Sequence, residues 1–315
     1  MKILALSGGV GGAKLALGLA RVLPPGALTV VANTADDFEH MGLYIAPDLD
    51  TVMYTLAGIN DTERGWGLAG ESWQCLDALE RLGAERWFQL GDRDLATHIH
   101  RSALLREGLS LSAVTSKLCE ALGVSVALLP MSDDPVRTLV DSEEGELPFQ
   151  HYFVREQCRP RVRGFRFAGQ QHARPQPGLL SLLTDPELAA VIICPSNPYV
   201  SVDPILGLAG VRDALAASAA PVYAVSPIIG DRALKGPAAK MMAELGLPVN
   251  GASVAAHYRG LVDTFVLDES DATLADTINE PGMQVMTAPT VMKSLEDRER
   301  LAQQLLARVQ AGRHG

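Results

Sequence analysis

The chain has 315 residues, a formal net charge of −10, 47% hydrophobic residues, few aromatics and 29 glycines. That length holds one large α/β unit or a core with a subdomain, and the composition excludes a disordered or low-complexity protein. The acidic balance argues against binding to nucleic acid or an anionic membrane, both of which need a basic excess, and leaves small phosphorylated ligands open.

Cys75, Cys119, Cys158 and Cys194 lie far apart with no CxxC pair. They read as packing residues rather than zinc ligands or a disulfide framework. Residues 1–6 are apolar but give way to glycine at once, so they form a first strand and not a signal peptide. With nothing resembling a membrane span, a cytoplasmic protein is expected.

Ser7-Gly8-Gly9-Val10-Gly11-Gly12-Ala13-Lys14 follows, leading into a helix with Leu15, Leu17 and Leu19 that ends near Pro24-Pro25-Gly26. Strand, glycine loop and helix together let backbone N–H groups cradle a phosphate, which makes Gly8, Gly9, Gly11, Gly12 and Lys14 nucleotide-binding candidates. Tight packing of the turn against the sheet is the alternative. The pattern is neither GxGxxG with an acidic residue closing the next strand nor GxxxxGK[ST]. Lys14 is therefore not a Walker lysine, and a dinucleotide cofactor is not indicated.

Residues 28–32 form a continuous apolar strand suited to a sheet buried on both faces. The connection that leaves it carries Asp36, Asp37, Asp48 and Asp50. Loops after the carboxyl ends of strands form the ligand crevice of open α/β sheets, so these carboxylates read as a magnesium site facing a phosphate. Capping of helices and turns by Asp36 and Asp48 is the competing explanation.

From 51 to 122 helical spacing dominates: Val52 and Leu56; Trp73, Leu76 and Leu79; Leu95, Ile99 and Leu104; Leu111, Val114, Leu118 and Leu122. This predicts a helical subdomain (51–122) inserted into a core made of 1–50 and 123–315. Inside it, Gly91-Asp92-Arg93-Asp94 opens a helix that continues through His98 and His100. Asp92 or Asp94 can cap that helix, whereas the forked guanidinium of Arg93 suits a ligand carbonyl, hydroxyl or phosphate. The two histidines, two residues apart, cannot share a helix face, so at most one of them, His98, enters a site; a structural role for it stays open.

Residues 124–129 return to a buried strand. Asp133 and Asp134 then sit in a turn before Pro135, and residues 138–140 are expected to pair with 149–154 across Glu143-Glu144-Gly145. Arg155, Arg159, Arg161, Arg163 and Arg166 read as a solvated face. Apolar strands at 188–194 and 222–225 end in Ser196-Asn197-Pro198 and Ser226-Pro227-Ile228-Ile229-Gly230, loops whose hydroxyl, amide and backbone donors suit a base or phosphate. Lys235 and Gly236, just before a helix that starts with Pro237, give a further phosphate position. Strands at 264–267 and 284–287 and a closing helix at 294–309 complete the pattern. The fold expected is α/β, a Rossmann-like, mostly parallel sheet flanked by helices, with the inserted helical subdomain.

These words occur in an order that resembles the 2-phospho-L-lactate transferases (CofD, with FbiA as the actinobacterial form) of coenzyme F-420 biosynthesis. They are SGGVGGAK, NTADD, PDLDTVMYTL, LGDRDLATHI, PMSDDPVRT, SNP, AVSPIIG and KGPAAKMM. The resemblance implies an Mg²⁺-dependent transferase that moves a phospholactyl-type group (phospholactate, phosphoenolpyruvate or phosphoglycerate) from a guanosine diphosphate ester to the deazaflavin alcohol Fo. GMP leaves, and GDP or GMP would bind as product or analogue. It implies Asp37 and Asp50 as metal ligands, Asp37, Asp50 and Arg93 as catalytic residues, Asp50, Arg93 and His98 beside the deazaflavin, and Ser196, Asn197, Ser226, Ile228, Gly230, Lys235 and Gly236 around the nucleotide. A homodimer is also expected. The alternative is a nucleotide-sugar-binding regulatory protein of the related YvcK type, which would not need PDLDT or GDRDLATH.

Overall fold

The computed structural model describes residues 1–233, 236–278 and 280–312. Seven short apolar runs form one parallel sheet: β1 (Lys2–Ser7), β2 (Leu28–Ala32), β3 (Ala127–Pro130), β4 (Leu188–Ile193), β5 (Val222–Val225), β6 (Thr264–Asp268) and β7 (Gln284–Ala288). Their spatial order is β3-β2-β1-β4-β5-β6-β7. Every neighbouring pair is parallel, and Leu4 of β1 lies between Thr29 of β2 and Val191 of β4. Chain order reverses direction between β1 and β4, and the loops leaving their carboxyl ends diverge there to open a crevice.

The period-two geometry of a strand sends Ile3 and Ala5 to one face and Leu4 and Leu6 to the other. The Ile3 face is covered by α1 (Val10–Val22), α2 (Pro47–Leu56), the helix Leu111–Ala121 and the C-terminal helix Leu295–Gly312. Gly18 of α1 allows close helix contact, because a Cβ there would sit 2.2 Å from the Arg298 carbonyl oxygen. The Leu4 face packs on the helix Pro177–Leu183 and on Tyr199, Ile205, Met241 and Phe265.

α2 starts with Pro47 at its first turn and runs through residue 50 unbroken, with Leu49, Val52, Met53 and Tyr54 buried in the same core as α1. After it come α3 (Gln74–Arg81) and α4 (Asp92–Arg106), whose starts cap each other. The Asp92 carboxylate accepts from the backbone N–H groups of Gln74 and Cys75, and Glu71 accepts from those of Arg93 and Asp94. Asp133 and Asp134 are structural: the first accepts from Ser112 N at the start of Leu111–Ala121, the second from Arg174 N.

Outside the main sheet, Arg137–Ser142 pairs with Gly145–Pro148 and with Val162–Ala168 in a three-stranded antiparallel sheet. The expected turn at 143–145 is present, but residues 149–154 do not form the partner strand. Pro148 has no N–H to extend the ladder, and the chain coils into the helical turn His151–Arg155, with Phe149 stacked on Phe153 at 5.5 Å. Arg161, Arg163 and Arg166 are exposed as expected, and Arg166 pairs with Glu146 across the sheet. Among the described residues no helix is long and apolar enough to cross a membrane.

Candidate functional site

A cavity of about 630 Å³ opens over the carboxyl ends of β1 and β4, within the usual range for a small-molecule site. Its floor is the meeting of three loops. Gly8 donates its N–H to Ser196 Oγ at 2.9 Å, and a Cβ on Gly8, Gly11 or Gly12 would lie 2.6 Å from Ser201 Cβ, 2.3 Å from Pro195 O or 2.3 Å from Ser7 Oγ. Gly8, Gly11 and Gly12 are therefore a condition for this close approach. Gly9, Gly11 and Lys14 line the cavity, as do Ser196 and Asn197. Gly8 and Gly12 are buried and do not line it.

The acidic connection joins the same floor. Asn33 donates to Asp48 Oδ2 at 3.0 Å and to the Val200 carbonyl at 3.4 Å, and a Cβ on Gly9 would meet Asp48 Oδ1 at 2.6 Å. Asp36, Asp48 and Asp50 line the cavity. Burial pushes the Asp48 carboxyl up to about 6. It pushes Asp36 well above the ordinary range, reinforced by the charge of Asp48, and Asp36 Oδ1 is buried with no partner. Asp37 does not line the cavity. It is 1% exposed, accepts from the Tyr44 hydroxyl at 2.8 Å, and has its carboxyl raised by burial against the opposing pull of Arg137.

Asp50 is held from behind. Arg101, 1% exposed, reaches it with both terminal nitrogens, Nη1 to Oδ2 at 2.9 Å and Nη2 to Oδ1. His98, on the same face of α4, has Nδ1 3.2 Å from Arg101 Nη1; its Nε2 lies 3.2 Å from Asp94 Oδ1 but has no hydrogen-bond partner, and Asp94 Oδ1 accepts from the Tyr54 hydroxyl at 2.7 Å. His98, Asp94 and Tyr54 all line the cavity, whereas His100 is exposed. Arg93 departs from expectation. Its side chain is exposed, bonds the Ala69 carbonyl at 2.7 Å and does not line the cavity, because its position at the first turn of α4 points it toward the segment before α3.

Aromatic side chains form another wall. Trp87 and Phe88 line the cavity, with Phe38 4.9 Å from Phe88 and His40 5.2 Å from Trp87 behind them. Trp66 and Arg64 add to the wall, with the Arg64 guanidinium 5.1 Å from the rings of both Trp66 and Trp73. The far end is closed by Ser226, Pro227, Ile229, Gly236, Thr290 and Met292. Two expected nucleotide contacts there are spent internally: the Ile228 N–H and C=O pair with the Ser226 hydroxyl, and the Gly230 N–H bonds the Asp271 carboxylate at 2.8 Å. Lys235 lies outside the described residues.

Among the described residues no group of three or more His, Cys, Asp or Glu is arranged to hold a metal ion by itself. Mg²⁺ is commonly held by one or two carboxylates with substrate phosphates completing the shell. The orphaned Asp36 oxygen beside Asp48 fits that arrangement. Asp50 has oxygen lone pairs left after its pairing with Arg101, and Asp37, whose Oδ1 is likewise buried without a partner, gives its Oδ2 to Tyr44 and does not line the cavity.

The family described as 2-phospho-L-lactate transferase CofD matches residues 3–306. A phosphoenolpyruvate transferase of Streptomyces griseus is 39% identical over 312 residues, covering 97% of this chain and 98% of the relative. A 2-phospho-L-lactate transferase of Methanosarcina mazei is 40% identical over 297 residues, covering 94% and 97%. Among solved structures, a upf0052 family protein from Bacillus halodurans superimposes with a TM-score of 0.62 at 16% identity, covering 97% of this chain and 98% of that one, a likeness of fold alone. A family match across nearly the whole length, on a chain whose motifs converge on one cavity, makes this protein a member of the CofD 2-phospho-L-lactate transferase family.

Proposed function

We propose that the protein transfers a phospholactyl-type group from a guanosine diphosphate ester to the terminal ribityl hydroxyl of the deazaflavin Fo, releasing GMP, in coenzyme F-420 biosynthesis. The observation that carries the reading is the composition of the cavity. Glycine backbone, Lys14, Ser196 and Asn197 offer phosphate donors, Trp87 and Phe88 offer a surface for a flat heterocycle, and Asp36, Asp48 and Asp50 line the same space.

In the reaction the hydroxyl oxygen bonds to the phosphorus bearing the three-carbon acid. The bond from that phosphorus to the bridging oxygen of GMP breaks, and the hydroxyl proton goes to a carboxylate of the acidic loop. Phosphoryl-type transfer asks mainly for alignment and charge neutralisation. Asp50, fixed by Arg101, accepts from the ribityl hydroxyls and orients them. The α1 N-terminus, at Gly9 and Val10, faces the anionic donor. Mg²⁺, held at the acidic loop by Asp36 and Asp48 with Asp50 beside them, would supply neutralisation of the diphosphate charge.

The relatives carry both names, phosphoenolpyruvate transferase and 2-phospho-L-lactate transferase, at closely similar identity. The acid is therefore chosen by experiment: the protein with Mg²⁺ and Fo is incubated with each guanylylated acid, and the products are weighed by mass spectrometry. One deazaflavin phosphodiester appearing together with GMP is the expected result; no new deazaflavin mass with any of the three donors rejects the reading.

A further inference from the structure

We propose that Arg101 is the positioning residue of this site and that it fixes His98 as a hydrogen-bond donor, unable to serve as the proton acceptor for the incoming hydroxyl. The inference deepens the transferase reading and rests on it for its kinetic consequence, though not for its chemistry. A guanidinium carries five N–H donors and no acceptor. The 3.2 Å contact between Arg101 Nη1 and His98 Nδ1 therefore requires an unprotonated Nδ1 that accepts, which puts the ring proton on Nε2. Nε2 in turn lies 3.2 Å from Asp94 Oδ1, a partner that can only accept when ionised. Burial opposes the charge on Asp94, yet the neighbouring His98 and Tyr54 hold its carboxyl below the ordinary range, which agrees with an ionised Asp94 facing Nε2.

The result is a buried cluster ordered around one guanidinium: Arg101 donates to His98 and grips Asp50 with its fork, Tyr54 donates to Asp94, and His98 Nε2 faces Asp94 Oδ1 at 3.2 Å without a hydrogen-bond partner of its own. Asp50, His98 and Asp94 are all less than a tenth exposed, and Arg101 lies behind them. Ser102 Oγ, bonded at 2.6 Å to the His98 carbonyl, ties the next turn of α4 to this face. A proton on His98 Nδ1 would face the Arg101 donor at 3.2 Å in a buried space, and Asp50 Oδ2, 3.7 Å from Nδ1, is already taken by Arg101. The hydroxyl proton is left to a carboxylate.

Two measurements test this on the full-length protein. In ¹⁵N-histidine-labelled wild type at neutral pH, with the His98 resonance assigned from its absence in His98→Gln, a neutral ring protonated on Nε2 is expected; an Nδ1–H tautomer or a doubly protonated ring overturns the proposal. In Arg101→Lys, which keeps the charge but loses the fork, kcat should fall at least tenfold while KM for the donor stays within twofold. The His98 signal should also change to a mixture of tautomers. Near-wild-type kcat, or an unchanged His98 signal in a folded Arg101→Lys, overturns the positioning role. Should that variant fail to fold, the wild-type ring signal decides by itself. A wild type that makes no deazaflavin product counts against the transferase reading, and the tautomer measurement, which needs no substrate, still stands.

Discussion

At the scale of single residues the site is a set of carboxylates in unequal surroundings. Asp50 is paired on both oxygens with Arg101, so its replacement removes an oriented acceptor and leaves a buried guanidinium short of a partner. Asp50→Asn is expected to abolish turnover and to cost several kcal/mol of stability, about 3–5 by the usual cost of breaking a buried pair. Guanine-nucleotide binding, measured calorimetrically in the cold, should survive; turnover near the wild-type level would reject the assignment.

Asp48 behaves differently, since burial raises its carboxyl to about 6. A raised acid contributes stability below its unfolded value, and that contribution is lost as pH climbs from the ordinary carboxylate range through about 6. Above pH 6 ligand-free wild type therefore holds an unfavourable buried charge that Asp48→Asn lacks. The variant should have the higher Tm at pH 7.5, with the difference shrinking toward zero near pH 4. A difference that is independent of pH, or of opposite sign, contradicts this.

At the scale of elements α4 explains most of what the sequence concealed. Apolar periodicity nominated Leu95, Ile99 and Leu104, but the buried stripe of this helix is Asp94, His98, Arg101 and Ser102, and Ile99 is 50% exposed. The helix spacing was legible and the face was not, because a helix that backs a polar cavity inverts the rule that apolar residues point inward. The signal that could have found Arg101 is in the chain: three ionisable residues at 94, 98 and 101 repeat at helical spacing. Ile99→Ser should accordingly change stability by no more than about 0.5 kcal/mol, as for an ordinary surface position, when measured by urea unfolding. A loss of about 2 kcal/mol or more would restore Ile99 to a core.

The sheet strands were easier to read, since continuous apolar runs ending in glycine, serine or proline admit few other structures. The second hairpin strand ends at Pro148, which pairs with Leu139 but has no N–H to carry the ladder on, and Phe149 and Phe153 stack on each other in the turn that follows. Arg93 lies outside the cavity for a related reason: position within the first turn of a helix, which residue type alone does not reveal, decides which way its side chain leaves.

At the scale of the whole molecule the strand order places the glycine loop, the Ser196-Asn197-Pro198 loop and the acidic connection around one switch point, although they are far apart in sequence. On the proposed reading the net charge of −10 is no bar to an anionic donor, because Lys14 and the α1 N-terminus line the cavity and act locally. The decisive measurement is a crystal structure with GDP, Mg²⁺ and Fo all bound. The expected density has the diphosphate against Gly9 and Gly11, the deazaflavin ring beside Trp87 and Phe88, and the ribityl chain within hydrogen-bonding distance of Asp50. Density for Fo or GDP outside this cavity, or an Asp50 carboxylate that contacts neither, would contradict it.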